Sequence, residues 1–227
     1  LYRNDAGRFV DFTVEAGIEA VTMTFLGWGT RFADFDNDGD LDLFVANGHV
    51  FPQVDDAPTG TSYRQRNQLF RNDLGKPGLF VDISDAAGPG MTIEKVSRGT
   101  SFADYDDDGD VDVFVVNLND TPSLLRNDLA PGMNWLSVRV DGGADGEVNG
   151  DGVGARLRLV SGGSEQYRMI SGAGSYLSHS DLRAHFGLGN QPQVDLLEIT
   201  WPDGMTQTAT SLSVNQTITV SRNQEDK

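Results

Sequence analysis

The sequence predicts an all-β fold: antiparallel four-stranded propeller-type blades, too few to close a ring, followed by a small β-sandwich-like domain. Three observations carry this. Only 38% of the 227 residues are apolar and 27 are glycine, the balance of a turn-rich β chain rather than a helical one. Short runs alternate apolar and polar residues with the period of two that a half-buried strand requires. The chain also repeats itself at an offset of 70 residues.

The repeat pairs Gly29-Thr30-Arg31-Phe32-Ala33-Asp34-Phe35-Asp36-Asn37-Asp38-Gly39-Asp40-Leu41-Asp42-Leu43-Phe44-Val45 with Gly99 through Val115. A second signature, Leu-x-Arg-Asn-Asp, recurs at Leu1–Asp5, Leu69–Asp73 and Leu124–Asp128. After its first two copies come the alternating runs Phe9–Val14 and Leu79–Ser84. One full unit therefore has strands near 29–34, 41–47, 67–72 and 79–84. The next has strands near 99–104, 111–117 and 122–126, with 135–140 a candidate for its last strand. Residues 1–18 read as the second half of an earlier unit, and the chain as a piece of a longer precursor. The expected division is blades over 1–133, the small β domain over 134–221 and a flexible tail over 222–227. From Asp42 to Leu69 is 27 positions, but from Asp112 to Leu124 only 12, so the first unit carries an insertion within 48–66. Insertions of this kind are often functional.

Charge narrows the function. Asp and Glu number 34 against 17 Lys and Arg, for a net charge of −17. Such a surface repels nucleic acid and anionic membranes and attracts cations. No run approaches the ~18–20 apolar residues of a membrane-spanning helix. The absence of cysteine removes disulfides, thiolate metal sites and cysteine nucleophiles.

The acid is concentrated at alternate positions. Asp34, Asp36, Asp38 and Asp42 fall at positions 1, 3, 5 and 9 of a loop with Gly39 at position 6, and Asp104, Asp106, Asp108 and Asp112 repeat this with Gly109. Alternate residues of a tightly curled loop can all face one centre, and calcium takes six to eight oxygens there. The glycine permits the turn that brings the backbone carbonyl of Asp40 or Asp110 round to the same ion. Without a counter-ion these aspartates repel one another. An all-oxygen set favours calcium over zinc, and so many ligands favour it over magnesium. An EF-hand is excluded, because its twelfth position would hold a glutamate and here holds Val45 or Val115. Asp145, Glu147, Asn149 and Asp151 alternate too, before Gly152, and form a weaker third candidate beside the plainer reading of a polar hairpin.

These motifs resemble a known combination. The repeats, on Phe32–Asp42 and 102–112, resemble FG-GAP/VCBS repeats, found in integrin-α-type propellers and in many secreted bacterial proteins. The stretch from about Trp135 to Val220 resembles the ASPIC/UnbV domain, on Asn134-Trp135-Leu136, Gly152–Arg156, His185-Phe186-Gly187-Leu188-Gly189 and Trp201-Pro202-Asp203-Gly204. The pair is similar to the C-terminal part of cartilage-acidic-protein-like chains. The resemblance implies a calcium-bound blade set followed by a small β domain, outside the cytoplasm. It implies calcium ligands at Asp34, Asp36, Asp38, Asp40 (backbone) and Asp42, and at Asp104, Asp106, Asp108, Asp110 and Asp112. Propellers of this kind have about seven blades, and this chain has material for barely two and a half.

Catalytic candidates are few. His49 opens the insertion as a solvated loop residue, and His185 reads as a hydrogen-bonded packing residue. Ser178, His179 and Asp181 are too close in sequence for triad geometry. Trp28, Trp135 and Trp201 could stack on sugars, though core positions suit them better. Asn119 and Asn215 fit the glycosylation sequon. The expected function is a secreted or cell-surface calcium-binding module, not an enzyme, that recognises an extracellular protein or glycan. The alternatives are a self-assembling subunit of a fibre or matrix, interacting with copies of itself, and a polysaccharide-acting enzyme.

Overall fold

The computed structural model describes residues 1–72, 78–128, 132–143 and 148–222. The N-terminal part opens with a hairpin of β1 (Tyr2–Asp5) and β2 (Arg8–Asp11), paired from Tyr2↔Asp11 to Asp5↔Arg8. A single helical turn, α1 (Glu19–Thr22), leads into β3 (Gly27–Ala33) and β4 (Asp42–Asn47). The insertion contributes a 3₁₀ turn, Pro52–Asp56, and the short β5 (Gln65–Arg66). Next come β6 (Gln68–Asn72), β7 (Phe80–Asp82) and a second 3₁₀ turn, Pro89–Thr92. The second copy of the repeat is built from β8 (Glu94–Lys95), β9 (Ser97–Ala103), β10 (Asp112–Asn117) and β11 (Ser123–Leu125).

Strands β3-β4-β6-β7 form one antiparallel sheet, at the positions the repeat predicts. The second copy forms only the three-stranded β11-β10-β9. The candidate for its fourth strand, 135–140, does not join it but lies in β12 (Asn134–Asp141), within the stretch 134–221 expected for the small β domain; β12 pairs with β15 (Ala184–Gly189) and, in parallel, with β18 (Gln216–Ser221). The reason is burial. Leu136, Val138 and Val140 are covered by the C-terminal core, which an outer position in the second sheet would not provide. Among the described residues the sheets do not close into a ring. The insertion is tied down, since β5 pairs with β8 and so joins the two repeat copies.

The C-terminal part is two packed sheets. One is β15-β12-β18. The other contains β13 (Arg156–Ser161), β14 (Ser164–Met169), β16 (Gln193–Thr200) and β17 (Thr206–Ser213), in the order β14-β13-β16-β17. Leu136, Val138 and Phe186 from the first sheet meet Leu157, Leu159, Leu197 and Ile199 from the second, with Trp201 at one end. This is the interdigitation of alternating inward residues that a sandwich requires. Arg222 is held: its backbone N–H donates to Asp141 O at 2.8 Å and its guanidinium pairs with Asp203. The rest of the expected tail, 223–227, lies outside the described residues.

The two repeat copies share a core in which Phe35, Phe44 and Phe102 contact one another at ring separations of 5.8–6.4 Å. Strand register then places the acidic loops. Ala33 pairs with Asp42 and Ala103 with Asp112, so the first and ninth aspartates of each loop stand side by side at its base. No helix among the described residues is long and apolar enough to cross a membrane.

Candidate metal centre

Both acidic loops join antiparallel strands and are folded alike. In the first, Gly39 N donates to Asp34 Oδ2 at 2.9 Å and Asp40 N to Asp38 Oδ1 at 2.9 Å. In the second, Gly109 N donates to Asp104 Oδ2 at 3.0 Å and Asp110 N to Asp108 Oδ1 at 2.9 Å. Gly39 and Gly109 hold φ of +103° and +96°, which a residue with a Cβ rarely adopts. The fourth position is left-handed as well, with φ of +58° at both Asn37 and Asp107.

The turns gather carboxylates. One oxygen each from Asp34, Asp36 and Asp42 lie within 4.8 Å of one another, and so do oxygens of Asp104, Asp106 and Asp108. Each cluster can hold a metal ion. In the first loop Asp38 stands close enough for its charge to raise the pKa of Asp34, Asp36 and Asp42. In the second, Asp112 stays buried at the loop base, with Oδ2 accepting from Tyr105 N and Oδ1 from Asn127 N. Of the seventh residues, Asp40 N donates within its loop and Asp110 Oδ1 accepts from Asn37 Nδ2 at 3.0 Å. Of the third candidate, Asp145 and Glu147 lie outside the described residues, and Asn149 bonds both N–H and C=O of Val153.

The loops differ in burial. Asp34 is 2% exposed and Asp42 3%, whereas Asp106 and Asp108 face solvent. Asp34 Oδ1 and Asp36 Oδ1 are buried with no hydrogen-bond partner. An unpaired buried carboxylate oxygen is costly, and protonation or a coordinated cation relieves it. Burial, reinforced by Asp38, pushes the Asp34 carboxyl up to about 8. Burial also raises Asp42 to about 7 and lifts Asp104 and Asp112 above their ordinary value.

Sequence reasoning missed several supporting residues. Asn72 N and Asn127 N donate to Oδ1 of Asp42 and Asp112, each at 2.8 Å, so the Leu-x-Arg-Asn-Asp signature braces the ninth aspartate from the next strand. Its recurrence was the available signal. The C-terminal sandwich lies directly on the loops. Gly189 N donates to Asn37 O at 2.8 Å, and His185 Nε2 meets Asn37 Oδ1 at 2.6 Å. Asn37 Nδ2 is committed to Gly109 O and Asp110 Oδ1, so Asn37 Oδ1 is the acceptor and His185 carries its proton on Nε2. Arg183 donates to Asp107 Oδ1 at 2.7 Å and to Asp104 O at 2.6 Å.

Residues 145–227 match the ASPIC and UnbV family model. The chain is also similar to Cartilage acidic protein 1 of Homo sapiens, 31% identical over 180 residues, which cover 76% of this chain and 24% of that protein. The Mus musculus protein of the same name is 31% identical over 180 residues, covering 76% of this chain and 25% of that one. The Xenopus tropicalis protein is 30% identical over 206 residues, covering 86% and 28%. The chain thus spans about a quarter of the length of these curated relatives.

The matched segment, 145–227, supplies a cation near Asp34, and Arg71 of the repeat part acts on Asp36. Arg168 lies close enough to lower the Asp34 pKa, and its guanidinium is anchored by the carbonyls of His185 and Tyr167 and by Gln166 Oε1. His185 stacks on Trp135 at 6.2 Å, and burial beside Arg168 and Arg183 lowers its pKa to about 3. In the same segment Ser178 Oγ donates to Tyr176 O, and the Asp181 carboxylate is taken by Arg183. Of the tryptophans, Trp201 is in the core, and Trp28 lies beneath Arg98 at 4.4 Å with its edge to Tyr176. Asn119 is exposed in a turn, whereas the amide of Asn215 bonds Trp135 N and Asn134 Oδ1.

A pH dependence follows. For Asp34 and Asp42 the folded pKa lies above the unfolded one, so their stabilising contribution is full below the unfolded value, near 4, and is lost as pH rises through about 7 and 8. His185 acts oppositely, but only below its unfolded value of about 6.5. Between pH 6.5 and 8, then, the metal-free chain loses stability at about 1.4 kcal/mol per pH unit for each proton released. Thermal melts in chelator across that window are expected to fall by roughly 3–6 °C per pH unit.

Proposed function

We propose that this chain is a calcium-binding β-repeat module of the FG-GAP/VCBS type, working outside the cell in recognition or adhesion, with calcium in a structural role. The carrying observation is the pair of unpartnered buried oxygens, Asp34 Oδ1 and Asp36 Oδ1, inside an all-carboxylate cluster. In this reading Asp34, Asp36, Asp38 and Asp42, with the Asp40 carbonyl, hold one ion, and Asp104, Asp106, Asp108 and Asp112, with the Asp110 carbonyl, hold a second. The oxygen-only donor set suits a hard cation, and the number of carboxylates suits calcium. Because the unfolded chain holds no such site, binding energy becomes folding energy.

An extracellular location is supported by similarity to proteins named for cartilage and by a net charge of −17. It also agrees with the millimolar calcium that extracellular modules are tuned to. The surface offered to a protein or glycan partner is the insertion over 48–66, where Val50 and Phe51 are exposed on a segment fastened by β5–β8 pairing. The role is binding rather than catalysis. The test is a melt in millimolar calcium against chelator. At calcium a thousandfold above Kd each site adds about 4 kcal/mol, an upward shift of about 8–16 °C per site. Coincident melts would remove the calcium role.

One observation favours a second reading, self-assembly. The β1–β2 hairpin is a sheet by itself, with Tyr2 and Phe9 each 68% exposed. A strand from another copy added to it would make a head-to-tail contact. Monodisperse single chains in electron micrographs would remove that reading.

A further inference from the structure

We propose that the two acidic loops are the docking platform for the C-terminal β-sandwich, so that ion occupancy sets how firmly the two parts of the chain are locked together. This rests on the calcium reading and goes beyond it. In both loops the contact is made by the fourth position, which lies between the expected ligands and supplies none. Asn37 accepts from His185 Nε2 at 2.6 Å and from Gly189 N at 2.8 Å. Asp107, its counterpart 70 residues on, accepts from Arg183 at 2.7 Å. The same left-handed backbone presents both side chains.

At two points a glycine lets the surfaces come into close contact. A Cβ on Gly187 would sit 2.1 Å from Asp34 Oδ2 and 2.5 Å from Asn37 Cα, and one on Gly109 would sit 2.0 Å from the Trp135 ring. Asn37 also bridges the loops through Gly109 O and Asp110 Oδ1. Every one of these contacts is within three residues of an expected ligand, so each depends on loop shape. A cation draws the aspartates inward and holds that shape. Without it their mutual repulsion spreads the loop and moves Asn37 and Asp107 off their partners. Contacts elsewhere in the interface, such as Thr30 N to Ser175 Oγ at 3.1 Å and Trp28 against Tyr176, involve neither loop. Ion loss therefore loosens the arrangement rather than separating the parts.

Linkage makes this testable from the far side. If the ion favours docking, docking must favour the ion by the same factor. Calorimetric titration of calcium into the full chain is compared with Arg183→Ala/His185→Ala, which alters no expected ligand, and with Asn37→Gly, which keeps the left-handed backbone available. Calcium affinity is expected to fall about tenfold in each. The chain has no cysteine, so Val81→Cys with Thr210→Cys, both exposed, gives a clean label pair across the interface. Its distance distribution is expected to be narrow in calcium and broader in chelator. Calcium affinities within twofold of the parent, together with one distribution under both conditions, would overturn the docking role and leave the calcium reading standing. A parent chain that takes up no calcium would overturn both.

Discussion

Asp34→Asn is expected to move stability in opposite directions with and without calcium. In chelator at pH 8 the substitution removes a buried charge whose Oδ1 has no partner and whose carboxyl is pushed up to about 8, while the amide oxygen can still accept from Gly39 N. The variant should therefore melt above the parent, by about 2–8 °C for a gain of roughly 1–2 kcal/mol. In saturating calcium the first-position ligand is weakened, and the variant should forfeit most of the ~4 kcal/mol that one occupied site contributes, melting about 8–16 °C below the parent. Asp104→Asn should show the calcium-dependent loss with little gain in chelator, because both Asp104 oxygens already accept backbone N–H bonds. Calorimetric melts of the three chains under both conditions decide it. Equal destabilisation by Asp34→Asn in calcium and in chelator would mean the cluster is merely structural.

Gly187→Ala should disrupt the contact between the C-terminal sandwich and the first loop. Its added carbon would fall 2.1 Å from Asp34 Oδ2, and the next obstacle, Asn37 Cα at 2.5 Å, is backbone that cannot rotate away. Either β15 or the first loop must shift. Overpacking of this kind costs about 1–3 kcal/mol, or roughly 2–12 °C in melting temperature. Loop movement also disturbs the ligand cluster, so calcium affinity should fall with it. Gly150→Ala is the control, since its Cβ would meet only Gly143 O at 3.9 Å. If both variants melt together, β15 does not rest on the loop as described.

Much of this was legible in the residues. The offset of 70 located both loop-bearing sheets, because a β-strand declares itself through local alternation and a tight turn through its glycine. The expected strands at 29–34, 41–47, 67–72 and 79–84 correspond to β3, β4, β6 and β7. The acidic clusters were legible for the same reason, since alternate residues of one short loop share a centre wherever that loop lies. The partner strands of 135–140 were not. An alternating apolar run fits any sheet edge, and only the core offered by Leu157, Leu159, Leu197 and Ile199 settles which one it joins. The sequence marks His185 as a hydrogen-bonded packing residue, but its partner Asn37 is 148 positions away.

By itself, then, the sequence determined the all-β class, the repeat and the two acidic turns, all products of contacts between near neighbours in the chain. Tertiary structure alone decided that the first loop is buried and the second open, that Asn37 and Asp107 face the sandwich, and that Gly187 must lack a side chain. Those are properties of two surfaces meeting, and the energy of such a contact depends on residues that no local pattern connects.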